Sequence, residues 1–209
     1  IMFTLLLPIR DFIFSNLSII DFIMFIIKNN YYLYIENTKI IDLNYFYKNK
    51  KIIIIYRNNS SKEDLSTIIS FRKKCHIKQF KFYIANDYNL ARDCKADGMY
   101  LSAYNKKIYL NCNFNFIGSA HNHKEICEKK RQGCKSVILS RIFKTSYKNK
   151  KNFIGLSRFN LISRHYKISI FPLGGINNSN LLKLKLVLSN GFALLSEIKK
   201  KPAISRRLF

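Results

Sequence analysis

Carboxylates are scarce in this chain. Only 12 Asp and Glu stand against 37 Lys and Arg, for a formal charge of +25. Such an excess admits an anionic partner, because a positive field draws anions in from solution. The lysines are spread along the chain rather than gathered in one block. They rise together with Asn, Ile, Phe and Tyr, all residues with A/T-rich codons. Spread charge argues against a dedicated nucleic-acid module, so no specific nucleic acid is expected. A doubly phosphorylated small molecule would still be drawn in. Cysteine pairs are lacking too. Cys75, Cys94, Cys112, Cys127 and Cys134 make an odd count with no C-x-x-C spacing. Neither a disulfide framework nor a zinc site is supported, and free thiols in a reducing cytoplasm are expected. No G-x-G-x-x-G follows a first strand, which argues against a dinucleotide-binding open sheet.

No clean apolar run of about 20 residues occurs, so no membrane span is expected. Residues 1–30 come nearest, but Arg10, Asp11, Asn16 and Asp21 interrupt them. They also lack the basic start and small-residue cleavage site of a signal peptide. They are taken as an apolar extension, with Met24 an alternative start. Residues 199–209 form a basic tail. Between them, residues 31–198 are expected to make one domain.

What is present is an alternation of short apolar runs with helical patterns. The 48% hydrophobic content supports a packed core. Strands are expected at 31–36, 51–56, 80–85, 99–101, 115–119, 136–139, 167–173 and 191–195. KIIIIY at 51–56 is the kind of β-branched run buried in parallel sheets. Helical segments are expected at 40–47, from Ser60 or Ser61 to about His76, and at 89–95, 123–132, 156–166 and 178–188. Glu63 and Asp64 would occupy the first turn of the second of these, and Gly133 would stop the helix at 123–132. Eight strands in a chain of 209 residues predict a minimal (β/α)8 TIM barrel.

In such a barrel, the residues at the carboxyl ends of the strands share one mouth. They are Arg57, Asn86, Asp87, Asn105, Ser119, His121, Thr145, Lys148, Gly174, Gly175 and Ser196. Gly174-Gly175 offers backbone N–H groups to a phosphate, and Lys148 and Arg57 add cations for a second anion. Asp87 is the carboxylate placed to hold Mg2+ together with waters and phosphate oxygens. Each residue also has a plainer role: Gly-Gly as a turn, Asp87 as a helix cap, His121 as a backbone partner.

The order of these groups resembles the thiamine phosphate synthase and TenI superfamily. That family shows R-x-K, N-D, G-A-D-G-V-H-L-G-Q-x-D, G-x-S-x-H, P-T-x-T-K, I-G-G-I and V-S-A-I after successive strands. Here stand Arg57-Asn58-Asn59, Asn86-Asp87, KADGMYLSAYN at 95–105, GSAH at 118–121, KTSYK at 144–148, LGGI at 173–176 and LSEI at 195–198. The resemblance implies coupling of hydroxymethylpyrimidine diphosphate to thiazole phosphate, with diphosphate leaving. By position it implies Arg57 and Lys148 on the diphosphate, and Asp87 and Asn105 on magnesium. Asn86 and Ser119 would contact the pyrimidine diphosphate, and Thr145, Gly174, Gly175 and Ser196 the thiazole phosphate. The chain departs from the pattern at Asn59 for Lys, Asn105 for Asp, Ala103 for Gln and Tyr147 for a small hydroxyl residue. Losing a charge beside the metal forfeits on the order of 1–4 kcal/mol. The alternatives are a TenI-like thiazole tautomerase with His121 moving the proton, and a paralogue that binds thiazole phosphate without turnover. A homo-oligomer is left open.

Overall fold

A computed structural model describes residues 30–46, 48–58, 63–110, 112–145, 152–177 and 179–194. Residues 1–29 of the apolar extension expected at 1–30 and the basic tail fall outside these residues, as do Asn59, Ser60, Ser61, Lys148 and Ser196, while Asn30 opens the first strand. The eight strands are β1 (Asn30–Ile35), β2 (Ile52–Tyr56), β3 (Lys81–Ala85), β4 (Gly98–Leu101), β5 (Asn115–Ala120), β6 (Ser136–Ser140), β7 (Ser169–Leu173) and β8 (Gly191–Leu194). They pair in sequence order, and β8 returns to β1 to close a barrel. Every pairing is parallel, from Tyr31 opposite Ile52 round to Asn30 opposite Gly191. The expected eight-stranded barrel is what the chain forms.

Side-chain alternation with a period of two divides the core. Tyr32, Tyr34, Ile53, Ile55, Tyr83, Tyr100, Ile117, Ile138 and Phe171 fill the barrel. Their neighbours, such as Leu33, Ile54, Phe82, Met99 and Val137, point outward into the layer beneath the helices. Four tyrosines inside so narrow a barrel leave little room. Tyr32 packs on Phe171 with ring centroids 4.7 Å apart, and Tyr34 meets Tyr100 edge-on at 5.4 Å. Burial, and then the neighbouring Tyr100, push the Tyr34 hydroxyl well above its ordinary range. Burial raises the Tyr32 and Tyr83 hydroxyls as well, so these three inward hydroxyls stay neutral near pH 7.

The α-helices are α1 (Leu65–Ile77), α2 (Tyr88–Asp93), α3 (His123–Arg131) and α4 (Leu156–His165). Three expectations change. Asp64 does not sit in the first turn of α1. It is the N-cap, its carboxylate accepting from Ser66 N–H. Glu63, one residue earlier, turns away and accepts from the backbone and hydroxyl of Thr38. The helix expected at 40–47 is two 3-10 turns, Thr38–Ile40 and Leu43–Tyr45, capped by Asn37 and Asp42. The helix expected at 178–188 is a 3-10 segment, Leu181–Leu186, burying Leu181 and Leu184. Burial at i and i+3 is the 3-10 repeat, and it leaves Leu182 and Leu186 exposed. Gly133 follows α3 at φ +77, as the expected stop requires.

Candidate active site

A cleft of about 300 Å3 opens at the carboxyl ends of the strands. The strand alternation explains much of its lining. Arg57 continues the inward series of Ile53 and Ile55, Ser102 that of Tyr100, and Ser119 that of Ile117. Ser140 and Leu173 follow Ile138 and Phe171. Of the residues expected at the mouth, Arg57, Ser119, His121, Thr145, Gly174 and Gly175 line this one cleft.

Its two halves differ. On the side of β6 and β7, Gly174 and Gly175 take φ of +96 and +71. A Cβ on Gly175 would stand 2.5 Å from the Lys144 carbonyl oxygen, so only glycine fits. The Thr145 hydroxyl beside them is buried and has no hydrogen-bond partner among the described residues. Arg141, which the sequence reading did not single out, also lines this half. Its stem packs against Gly174, its Nη2 donates to the Asn152 carbonyl at 2.8 Å, and its Nε is buried with no partner among the described residues. Both polar groups lie beside a glycine turn of the kind whose backbone N–H groups suit an anion.

His121 stands between the halves. Its Nδ1 lies 2.8 Å from Ser140 Oγ, and its backbone N–H donates to Glu125 at 2.7 Å. Glu125 also accepts from the side chain of Asn122, the N-cap of α3. The start of α3 thus fixes the backbone that presents His121.

The β3 and β4 ends are arranged differently from the strand pattern. Asn86 has φ +59, which breaks the alternation after Ala85. Its Oδ1 turns toward β4 and accepts from Ser102 N–H at 2.9 Å and from Asn105 Nδ2 at 3.1 Å. Asp87 caps α2, with Oδ1 accepting from Leu90 N–H at 2.9 Å. Asn86 and Asn105 are therefore brought together beside Ser102 rather than within the cleft wall, while Asp87, next in the chain to Asn86, is engaged with its own helix. Asn105 Oδ1 accepts from Lys107 N–H, so its amide oxygen is already engaged. Among the described residues no three His, Cys, Asp or Glu side chains gather as a metal cluster. Asp87 is an exposed residue, and its second oxygen has no hydrogen-bond partner among the described residues. One such oxygen suits magnesium, which keeps several waters and takes phosphate oxygens. Lys148 and Ser196 lie outside the described residues.

The sequence pattern described as thiamine monophosphate synthase matches residues 43–198. The chain belongs to that family. A thiamine-phosphate synthase of Clostridioides difficile is 27% identical over 158 residues, covering 73% of this chain and 75% of the relative. One of Prochlorococcus marinus subsp. pastoris is 27% identical over 135 residues, covering 62% of this chain and 38% of the relative. The chain thus spans between about a third and two fifths of the length of the Prochlorococcus relatives it matches. Among solved structures, thiamine phosphate pyrophosphorylase from Pyrococcus furiosus superposes with a TM-score of 0.61 at 18% identity, covering 83% of this chain and 95% of that one. The pyrophosphorylase from Bacteroides thetaiotaomicron gives 0.59, also at 18%. These likenesses establish the barrel, and the family match establishes membership. No helix among the described residues is long and apolar enough to cross a membrane.

Proposed function

We propose that this family member couples hydroxymethylpyrimidine diphosphate to thiazole phosphate, releasing diphosphate. The observation that carries the reading is the β6–β7 half of the cleft. There a positive-φ glycine pair, the Thr145 hydroxyl, without a partner among the described residues, and Arg141 line one side of the cleft, a setting that suits a phosphate. Thr145, Gly174, Gly175 and, beyond the described residues, Ser196 hold the thiazole phosphate. Arg141 adds a cation there, whose planar fork suits phosphate oxygens.

The pyrimidine diphosphate enters from the Arg57 side, with Ser119 and the Asn86 rim beside it. Arg57 and Lys148 hold the leaving diphosphate. Asp87 would hold Mg2+, and the ion when bound would supply positive charge to the leaving group. Asn105 would join that shell only by giving up its bond from Lys107. The barrel's contribution is to align the thiazole nitrogen with the pyrimidine methylene and to exclude water above a neutral tyrosine floor. Substrate charge is met from fixed positions, so the protein forms no covalent bond to either partner. Supplying the full chain with both substrates and magnesium tests this. Thiamine phosphate should form at a rate proportional to protein, and Asp87→Ala should abolish the magnesium-dependent rate. Full activity in that variant would remove the metal assignment.

One observation favours a second reading. His121 lines the cleft with Nδ1 held by Ser140, an arrangement suited to a thiazole tautomerase base. His121→Ala with unchanged tautomerisation would exclude it.

A further inference from the structure

We infer that Lys129 is a positioning residue for the cleft: its buried ammonium, reaching past Gly118, fixes the Asn105 carbonyl and through it the Asn86–Ser102 rim.

Lys129 sits in the middle of α3 and is fully buried. Burying an ammonium is costly unless its protons are satisfied. Here the partners are neutral: the Asn105 carbonyl at 2.8 Å and Gln132 Oε1 at 2.8 Å. No carboxylate among the described residues forms a salt bridge with it. Its neighbour Glu128 is instead paired with Lys106. Burial accordingly pulls the Lys129 ammonium below its usual range.

The path of the stem is specific. Gly118 on β5 has no side chain, and a Cβ there would lie 2.7–2.8 Å from Lys129 Cβ, Cγ and Cδ. The apolar stem lies in that gap, and the head emerges at the loop after β4. Gln132, one turn later, donates to the same Asn105 carbonyl at 2.9 Å and to the Lys107 carbonyl at 2.7 Å. Two side chains from one helix thus grip the loop backbone. Asn105 in turn donates to Asn86 Oδ1, which also receives Ser102 N–H. Ser102 lines the cleft and its carbonyl accepts from Asn105 N–H. The chain of contacts runs without a break from α3 to the cleft wall.

A purely space-filling residue would be apolar at this place. The cost of the charge is explained if holding the loop is what the site needs. The placement stands whatever the reaction is. Its effect on the pyrimidine diphosphate rests on the function proposed above.

Lys129→Met, which keeps the stem and removes the head, provides the test. Hydrogen exchange should speed by roughly tenfold at Ser102, Asn105 and Lys107, with the strand amides of β3 and β4 unchanged. KM for hydroxymethylpyrimidine diphosphate should rise about tenfold, while affinity for thiazole phosphate holds. If Lys129→Met fails to fold, Gln132→Met removes one donor to Asn105 and one acceptor of Lys129, and should give the same local pattern. Unchanged exchange at the loop in a folded variant overturns the inference. So does an equal loss of affinity for both substrates, which a merely structural residue would produce. If the wild type forms no product, the proposed function fails, and the exchange result alone decides the role of Lys129.

Discussion

Gly175 shows how tightly single residues constrain this site. At φ +71, with carbonyl oxygens of Phe143 and Lys144 within 2.6 Å of a would-be Cβ, it tolerates no side chain. Gly175→Ala should cost about 1–3 kcal/mol in urea unfolding, through backbone strain and displacement of the 143–145 loop. Arg141→Ala should leave the fold intact, since its head is only partly engaged. It should weaken thiazole phosphate binding by roughly tenfold or more, read by calorimetry, because a charge-assisted bond contributes about 1.5–3 kcal/mol. Part of this was legible in the sequence. Gly174-Gly175 and Thr145 stood out by motif. Arg141 did not, because nothing in its spacing distinguishes it from the chain's many other cations. Lys129 likewise reads as one of a surface run, Lys129-Lys130-Arg131. The signal was its distance of three from the buried Ile126, which puts it on the inner face of α3.

At the scale of elements, the strands were readable because each is a short apolar run with polar residues at its end. The caps were harder. Asp64 and Glu63 are adjacent carboxylates, and only the fold decides which one caps α1 and which one reaches Thr38. Asp87 follows the same logic: capping α2 and facing a metal are not exclusive, because a carboxylate has two oxygens. Asn86 escaped the strand pattern through its positive φ, which no period of two foresees. The start of α3 matters most for function, since it presents His121. Asn122 Oδ1 accepts from Glu125 N–H at 2.9 Å as the N-cap. Asn122→Ala should lower stability by about 1 kcal/mol in denaturant titration. It should also loosen His121, because Glu125 loses both of its bonds to the Asn122 side chain and keeps the one from His121 N–H.

The whole molecule carries +25 and a core rich in tyrosine and free thiols. Burial pushes the Cys75 and Cys134 thiols, and the Tyr83 hydroxyl, up to about 12. Above pH about 9 the unfolded chain sheds these protons while the folded one keeps them, so the unfolded state binds fewer protons. Stability should therefore be full below that pH and fall as pH climbs toward 12. Thermal melts across the alkaline range check the direction. For the same reason, a thiol alkylator near neutral pH should modify the half-buried Cys112 and Cys127 first. Cys75, Cys94 and Cys134 should react only on unfolding, as peptide mapping would show. The closed barrel was legible from strand count and from the absence of a dinucleotide motif. The neutral tyrosine floor was not, because parity along a strand does not say which face closes inward.

Thiazole phosphate titrated into the full chain, followed by calorimetry, is the most direct test of the cleft assignment. Saturable one-to-one binding that drops about tenfold or more in Arg141→Ala is the expected result. Absence of binding, or equal affinity in Arg141→Ala, would contradict the assignment of the β6–β7 half as a phosphate site.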